Sequence, residues 1–256
     1  MRIAVAGGTG TVGHHVVEEV ESAGHEVVAL SRRRGVDVRN QVRLATALAG
    51  VDAVIDTLNV ASVRRGPAEE FFKATSEALQ ACAADAGVRH LVTLSILGME
   101  DVPGYGYYRA KLVQEQTMLA GPVGATVLRA SQFFEFAAQM IALTRRGRFA
   151  VVPQMRSQPV AARTVARHLV RLAVEQPGGR HELAGPEVHE IPDVARRIAV
   201  ARGERLHVVG VPFPGRAGRA MRNGALLARA GTEIDGPTLE DWLSAVWQKP
   251  DGGPDR

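Results

Sequence analysis

The sequence has one cysteine, Cys82, in 256 residues, so it cannot form an internal disulfide and nothing in it points to an oxidising compartment. Around Cys82, in EEFFKATSEALQACAADAG, the residues Phe71, Thr75, Ala78, Leu79, Cys82 and Ala86 recur at helical spacing, which predicts a core thiol on the apolar face of a helix. No apolar run is long enough to span a bilayer. The N-terminus enters a strand at once, with no charged leader and cleavable segment, so the expectation is a cytoplasmic protein without a membrane partner. Histidines number eight but are scattered, apart from the adjacent His14 and His15, with no H-x-x-x-H or cysteine partner; no metal site is expected. The net charge of +4 is carried partly by separate pairs, Arg64-Arg65, Arg145-Arg146 and Arg196-Arg197. Such pairs mark solvated helix ends or anion contacts rather than a continuous basic stripe, so no nucleic-acid partner is expected. Repeats and low-complexity tracts are also lacking.

Aromatic residues make up only 5% of a chain that is 46% hydrophobic, while Ala, Val, Gly and Arg abound. That mixture suits helices packed on a parallel sheet of small residues, and the length allows one full core with a small added lobe. The strand patterns RIAVA, HEVVAL, VDAVIDTL, HLVTLSIL and ATVLRA alternate with helical patterns over about 145 residues, because parallel neighbours need crossover helices. The fold class is therefore α/β, a Rossmann-type doubly wound parallel sheet occupying residues 1–148. Residues 149–256 read as the remaining sheet, with GRHELAG as a further strand, and a smaller lobe over the carboxyl edge where substrate binds. In that part FAVVP and SQPVAA are expected to be short strands, and the tail from about residue 249 is expected to be disordered.

Between the first strand and its helix lies G-x-x-G-x-x-G, formed by Gly7, Gly10 and Gly13. A tight turn, close approach of backbone to a pyrophosphate, and close packing of helix on strand each require a missing Cβ. Gly7, Thr9, Gly10, Thr11, Val12 and Gly13 are the expected dinucleotide contacts, with the N–H groups near Thr11 and Val12 aimed at the phosphates. The second strand then ends in SRRR, Ser31 to Arg34, where an NAD site would carry a carboxylate for the ribose 2′-hydroxyl. A hydroxyl and cations there, Ser31, Arg32 and Arg33 foremost, suit a 2′-phosphate and point to NADP(H).

Beyond HLVTLSILG comes Tyr107-x-x-x-Lys111. On a helix these share a face, so the ammonium is expected to depress the phenol pKa and to reach a ribose hydroxyl, while Ser95 donates to the same substrate oxygen. The stripe QFFEFAAQM, with Phe133, Phe134, Phe136 and Met140, reads mostly as core, with one or two side chains walling an apolar substrate pocket. Met99, Gln132, Phe133 and Phe136 are the candidates for that pocket.

The segments GGTGTVG, GHEVVALSRR, DVRN, LSILGMED, YYRAKLVQE, LRASQFFEF, QPVAARTVARHLV and HELAGPE together resemble the short-chain dehydrogenase/reductase superfamily, and within it the atypical NmrA-like, NAD(P)H-binding branch. The resemblance implies that Asp37 and Val38 lie beside the adenine and Thr57, Leu58 and Asn59 along the ribose-phosphate edge. It further implies that Lys111 sits on the nicotinamide ribose, with Ser131, Gln132 and Phe133 near the nicotinamide. Ser95, Tyr107 and Lys111 match the superfamily's catalytic trio. The implied activity is NADPH-dependent reduction of a carbonyl or quinone on a small, fairly apolar molecule. Alternatives are a non-catalytic NADP(H)-binding redox sensor and a nicotinamide-dependent epimerase or isomerase. Oligomeric state stays open between monomer and homodimer.

Overall fold

The computed structural model describes residues 1–60 and 65–247; Arg64 and the tail expected to be disordered lie outside the described residues. The first half runs β1 (Arg2–Ala6), α1 (Gly13–Ser22), β2 (Glu26–Leu30), α2 (Gln41–Leu48), β3 (Ala53–Asp56), α3 (Arg65–Asp85), β4 (His90–Ile96), α4 (Gly106–Ala120) and β5 (Ala125–Ala130). Next come α5 (Phe134–Thr144), β6 (Phe149–Gln154), β7 (Arg156–Ser157), α6 (Ala162–Glu175), β8 (Gly179–Ala184) and β9 (His189–Glu190). The chain closes with α7 (Ile191–Ala201), β10 (His207–Pro212), α8 (Gly215–Arg222), β11 (Glu233–Ile234) and α9 (Leu239–Trp247). No described helix is long and apolar enough to cross a membrane.

Among the described residues, seven strands form one sheet in the order β11-β8-β5-β4-β3-β1-β2, with every pair parallel. Its strands read as unbroken apolar runs because both faces are covered. In β1 the alternation is still visible: Ile3 and Val5 pack with Val16 and Val20 of α1 and with Val165 and Leu169 of α6, while Ala4 and Ala6 face Leu44, Leu48, Leu79 and Cys82. Each fully buried leucine or isoleucine here contributes ~1.5–3 kcal/mol. Cys82 is in this core, as its helical spacing predicted.

A separate buried cluster joins the two parts of the chain, bringing Met99, Tyr108 and Phe134 together with Val152, Ile191, Ile198 and Trp242. FAVVP is indeed a strand, but it pairs in parallel with β10 outside the main sheet. SQPVAA departs from expectation: of its residues only Ser157 lies in a strand, Arg156–Ser157 pairing with His189–Glu190, while Val160 makes an isolated bridge to Phe133, because Pro159 has no N–H for a ladder and Ala161 is already the N-cap residue of α6. A further strand, β11, extends the sheet edge; its two residues in a polar stretch carry too little periodicity to be read. The lobe meets the sheet at the turn after β4, where Gly98 has φ +68° and an added Cβ would stand 2.1 Å from the Ala225 carbonyl oxygen.

Candidate functional site

The glycine loop closes on itself at the carboxyl end of β1. Gly7 takes φ +81°, and a Cβ there would lie 2.9 Å from the carbonyl oxygen of Thr57. At Gly13 a Cβ would come within 2.1 Å of the Gly7 carbonyl oxygen, so α1 can start this close to the turn only without a side chain. Gly10 N–H donates to the Gly7 carbonyl at 2.8 Å, and Thr57 braces the other side by donating both its N–H (2.9 Å) and its hydroxyl (2.8 Å) to the Ala6 carbonyl. No side chain caps α1, which leaves its amino end suited to an anion. From α5, the Gln139 amide donates to the Thr11 hydroxyl at 2.6 Å, a contact across 128 residues of sequence.

The end of β2 lies against this loop, since Gly7 N–H donates to the Leu30 carbonyl at 3.1 Å. Ser31 is buried in extended backbone and its hydroxyl accepts from the Arg34 N–H at 3.3 Å. Arg32–Arg34 form a single 3-10 turn with all three side chains exposed, ended by Gly35 in the left-handed region. Asp37 is bound by the Arg39 guanidinium at 2.8 Å, and that bond holds its carboxyl below the usual carboxylate range. Val38, expected beside an adenine, has its side chain buried in the core under α2.

Tyr107, Lys111 and Ser95 are brought to one region but do not form the trio the sequence suggests. Tyr107 packs edge-on against Phe72 of α3, and its hydroxyl donates to Asn59 Oδ1 at 2.7 Å. The same oxygen accepts from the Val60 N–H at 2.7 Å, which fixes the amide. Burial pushes the Tyr107 phenol above its ordinary value, the reverse of the expected depression. Lys111 gives no help, because its ammonium turns to the Leu94 carbonyl at 2.7 Å and to Gln114 Oε1, 4.8 Å over the ring of the same Phe72. Shared helical face was a correct inference; the approach of α3 against both side chains was not visible in it. Ser95 is buried, and its hydroxyl donates to Met99 Sδ at 3.8 Å. Among the described residues no hydrogen bond joins it to Tyr107.

Beneath these side chains lies a polar layer that sequence reasoning missed. Asp56, fully buried at the carboxyl end of β3, accepts from the Leu58 N–H at 2.9 Å and from Gln114 Nε2 at 2.8 Å. Glu115, also fully buried, is clamped by both arms of Arg129 at 2.9 and 2.8 Å and by Arg180 at 3.0 Å. Burial alone would raise the Glu115 carboxyl, but bonds from Arg129, Ser95 and Arg180 prevail and hold it low. Two signals were available: a carboxylate ending an apolar strand at the edge where ligands bind, and polar residues three and four positions after Lys111.

The remaining candidates separate. Ser131 is buried with its hydroxyl 3.1 Å from that of Ser157, and Gln132 donates to the Tyr108 hydroxyl at 3.5 Å. Phe133 and Phe136 are half-buried, the first against the sheet core and the second against the lobe core. Met99 is buried and lines a cavity of about 480 Å³, together with Val102, Tyr105, Arg109 and Leu112. That cavity runs along the face of α4 turned away from Tyr107 and Lys111, so it does not unite the four pocket candidates. His14, His15 and Glu18 bring ligand atoms within 4.8 Å of one another on the exposed side of α1, with His14 Nδ1 facing the Gly10 carbonyl at 2.8 Å.

Residues 3–120 match the family model described as the NAD dependent epimerase/dehydratase family. No curated protein sequence matches the chain significantly. Among solved structures, MoeE5 in complex with UDP-glucose and NAD is 19% identical with a TM-score of 0.69, the match covering 95% of this chain and 92% of that one. The NADPH-dependent quinone oxidoreductase QOR2 of Escherichia coli, complexed with NADPH, is 16% identical with a TM-score of 0.70, covering 95% and 99%. A short-chain dehydrogenase/reductase superfamily protein from Agrobacterium tumefaciens with bound NAD is 18% identical with a TM-score of 0.68, covering 97% and 96%. At these identities the likeness is one of fold. The family match lies within the first half of the chain, and over the remainder the likeness is to the fold alone.

Proposed function

We propose that the protein is an NADP(H)-dependent oxidoreductase that reduces a carbonyl or quinone group of a small, fairly apolar molecule. The observation that carries this reading is the pairing of a cradle that a Cβ at Gly13 would fill with three exposed arginines at the adjoining end of β2. Backbone amides of the loop and the amino end of α1 would hold the pyrophosphate; Ser31, Arg32 and Arg33 would hold a 2′-phosphate, where a carboxylate would repel it. The bound nicotinamide supplies a hydride.

The chain's own residues then handle the proton. Burial keeps Tyr107 protonated at neutral pH, so it has a proton to give, and in this structure that proton is directed at Asn59. A substrate oxygen must displace Asn59 as the acceptor before Tyr107 can serve as general acid. The family match favours a second reading, an epimerase in which the cofactor is reduced and reoxidised within one cycle. The two differ in stoichiometry: the reductase consumes one NADPH per product, whereas the epimerase interconverts its substrate with no net oxidation. Titrating NADPH and NADH by fluorescence tests the cofactor part; NADPH should bind at least about tenfold more tightly. Equal affinities would overturn the arginine assignment.

A further inference from the structure

The chain has three lysines, Lys73, Lys111 and Lys249. Lys111 is buried, yet among the described residues no carboxylate is in direct contact with it. Its ammonium gives one proton to the Leu94 carbonyl on β4 and one to Gln114 Oε1 on its own helix. An ammonium only donates, so Gln114 must turn its amide oxygen toward Lys111 and its NH2 the other way. That NH2 meets Asp56 Oδ2 at 2.8 Å, while the Leu58 N–H binds Oδ1 at 2.9 Å. The chain of bonds therefore has one direction, from ammonium to amide to carboxylate, and Asp56 is the acceptor that ends it. Gln114 and Asp56 are both fully buried, so water cannot stand in for either partner.

We infer that Asp56, acting through Gln114, is the positioning residue that seats the Lys111 ammonium at the carboxyl edge of the sheet. The inference rests on the reading of Lys111 as the cation that meets the nicotinamide ribose. The groups facing Lys111 are Asp56 from β3, Glu115 from α4, the Leu94 carbonyl from β4 and the Phe72 ring from α3. Desolvation lowers the lysine to about 8, against the pull of Asp56 and Glu115.

An Asp56→Asn substitution puts an NH2 where Oδ2 stood. Gln114 must then flip to offer it an oxygen, which turns its own NH2 on the ammonium: two donors face each other and one negative charge is gone. Adding Gln114→Glu returns an acceptor to both neighbours, because the new carboxylate can take one bond from the amide now at position 56 and one from Lys111. A residue that merely filled space would show no such rescue by a second charge change.

The lysine ε-carbons of 13C-lysine-labelled protein are followed from pH 6 to 11 with Lys73→Arg and Lys249→Arg as assignment variants, and NADPH affinity is measured by fluorescence titration. Wild type should titrate Lys111 near 8, D56N lower, Q114E higher, and the D56N/Q114E pair back toward wild type. NADPH affinity should fall about tenfold in D56N and recover in the pair. If D56N does not fold, Q114E and the double variant still separate the outcomes by the order of their midpoints. Lys111 midpoints that coincide in all variants would overturn the inference. Midpoints that move as stated while NADPH affinity stays constant would uphold the seating and sink the ribose role of Lys111 instead.

Discussion

Gly13→Ala is a severe test of the glycine cradle, because its size follows from three distances. The new methyl would stand 2.1 Å from the Gly7 carbonyl oxygen and 2.8 Å from both Gly7 C and Thr57 Oγ1. Non-bonded carbon contacts settle near 3.5 Å, so a gap of more than about an ångström must open. Neither neighbour yields: Gly7 is held through its N–H to Leu30, and Thr57 through two bonds to Ala6. The amino end of α1 must move outward instead, loosening Val16 and Val20, which are fully buried. Overpacking of this kind costs ~1–3 kcal/mol. For a chain of this length that lowers Tm by roughly 2–12 °C. The shift also pulls amide donors off the phosphates, and losing one charge-assisted bond weakens binding by about 10- to 100-fold. Gly10→Ala is the control, since its methyl would meet only the Gly7 oxygen, at 3.2 Å. Its Tm should stay within about 2 °C of wild type. Thermal unfolding with NADPH titration reads both effects. Wild-type Tm and affinity in Gly13→Ala, or an equal loss of Tm in Gly10→Ala, would refute the reasoning.

Other expectations concern separate parts of the site. Tyr107→Phe should lower kcat about 100-fold or more with NADPH affinity unchanged, as stopped-flow and titration would show. Replacing Arg32 and Arg33 together by alanine should weaken NADPH about 10- to 100-fold while leaving NADH unaffected, and should flatten the salt dependence of NADPH binding. Glu115→Gln breaks a buried pair with Arg129 and should cost ~3–5 kcal/mol, measured by urea unfolding at neutral pH. Because the folded Glu115 carboxyl is held low, its stabilising contribution is present above the unfolded value and fades as acid protonates it. The gap between wild type and variant should therefore begin to narrow as the pH falls below the unfolded glutamate value of about 4.3.

What could be read in the sequence followed local rules. Apolar strands alternating with helical patterns gave the parallel sheet, and the helical spacing around Cys82 gave a buried thiol, because both depend on short-range periodicity. The glycines were legible because a missing Cβ is a local requirement. The two-residue strands at Arg156–Ser157 and Glu233–Ile234 were not, since pairing partners far along the chain decide them. At the site the same division holds. Tyr107 and Lys111 do share a helical face, but burial beside Phe72 of α3 raises the phenol and lowers the ammonium, with Asp56 of β3 opposing it at Lys111, and the i, i+4 spacing contains none of these. Likewise Ser95 sits at the predicted strand end, yet its hydroxyl points to Met99 Sδ in the turn that follows, a contact the strand pattern does not contain.

The central claim is that this chain turns over a carbonyl or quinone with NADPH. Its most direct test is NADPH oxidation by the purified protein across a panel of ketones, aldehydes and quinones, with NADH in parallel and each product quantified. The account predicts stoichiometric product with NADPH preferred. Tight NADPH binding without turnover on any compound, or interconversion of a sugar nucleotide with no net NADPH consumed, would contradict it.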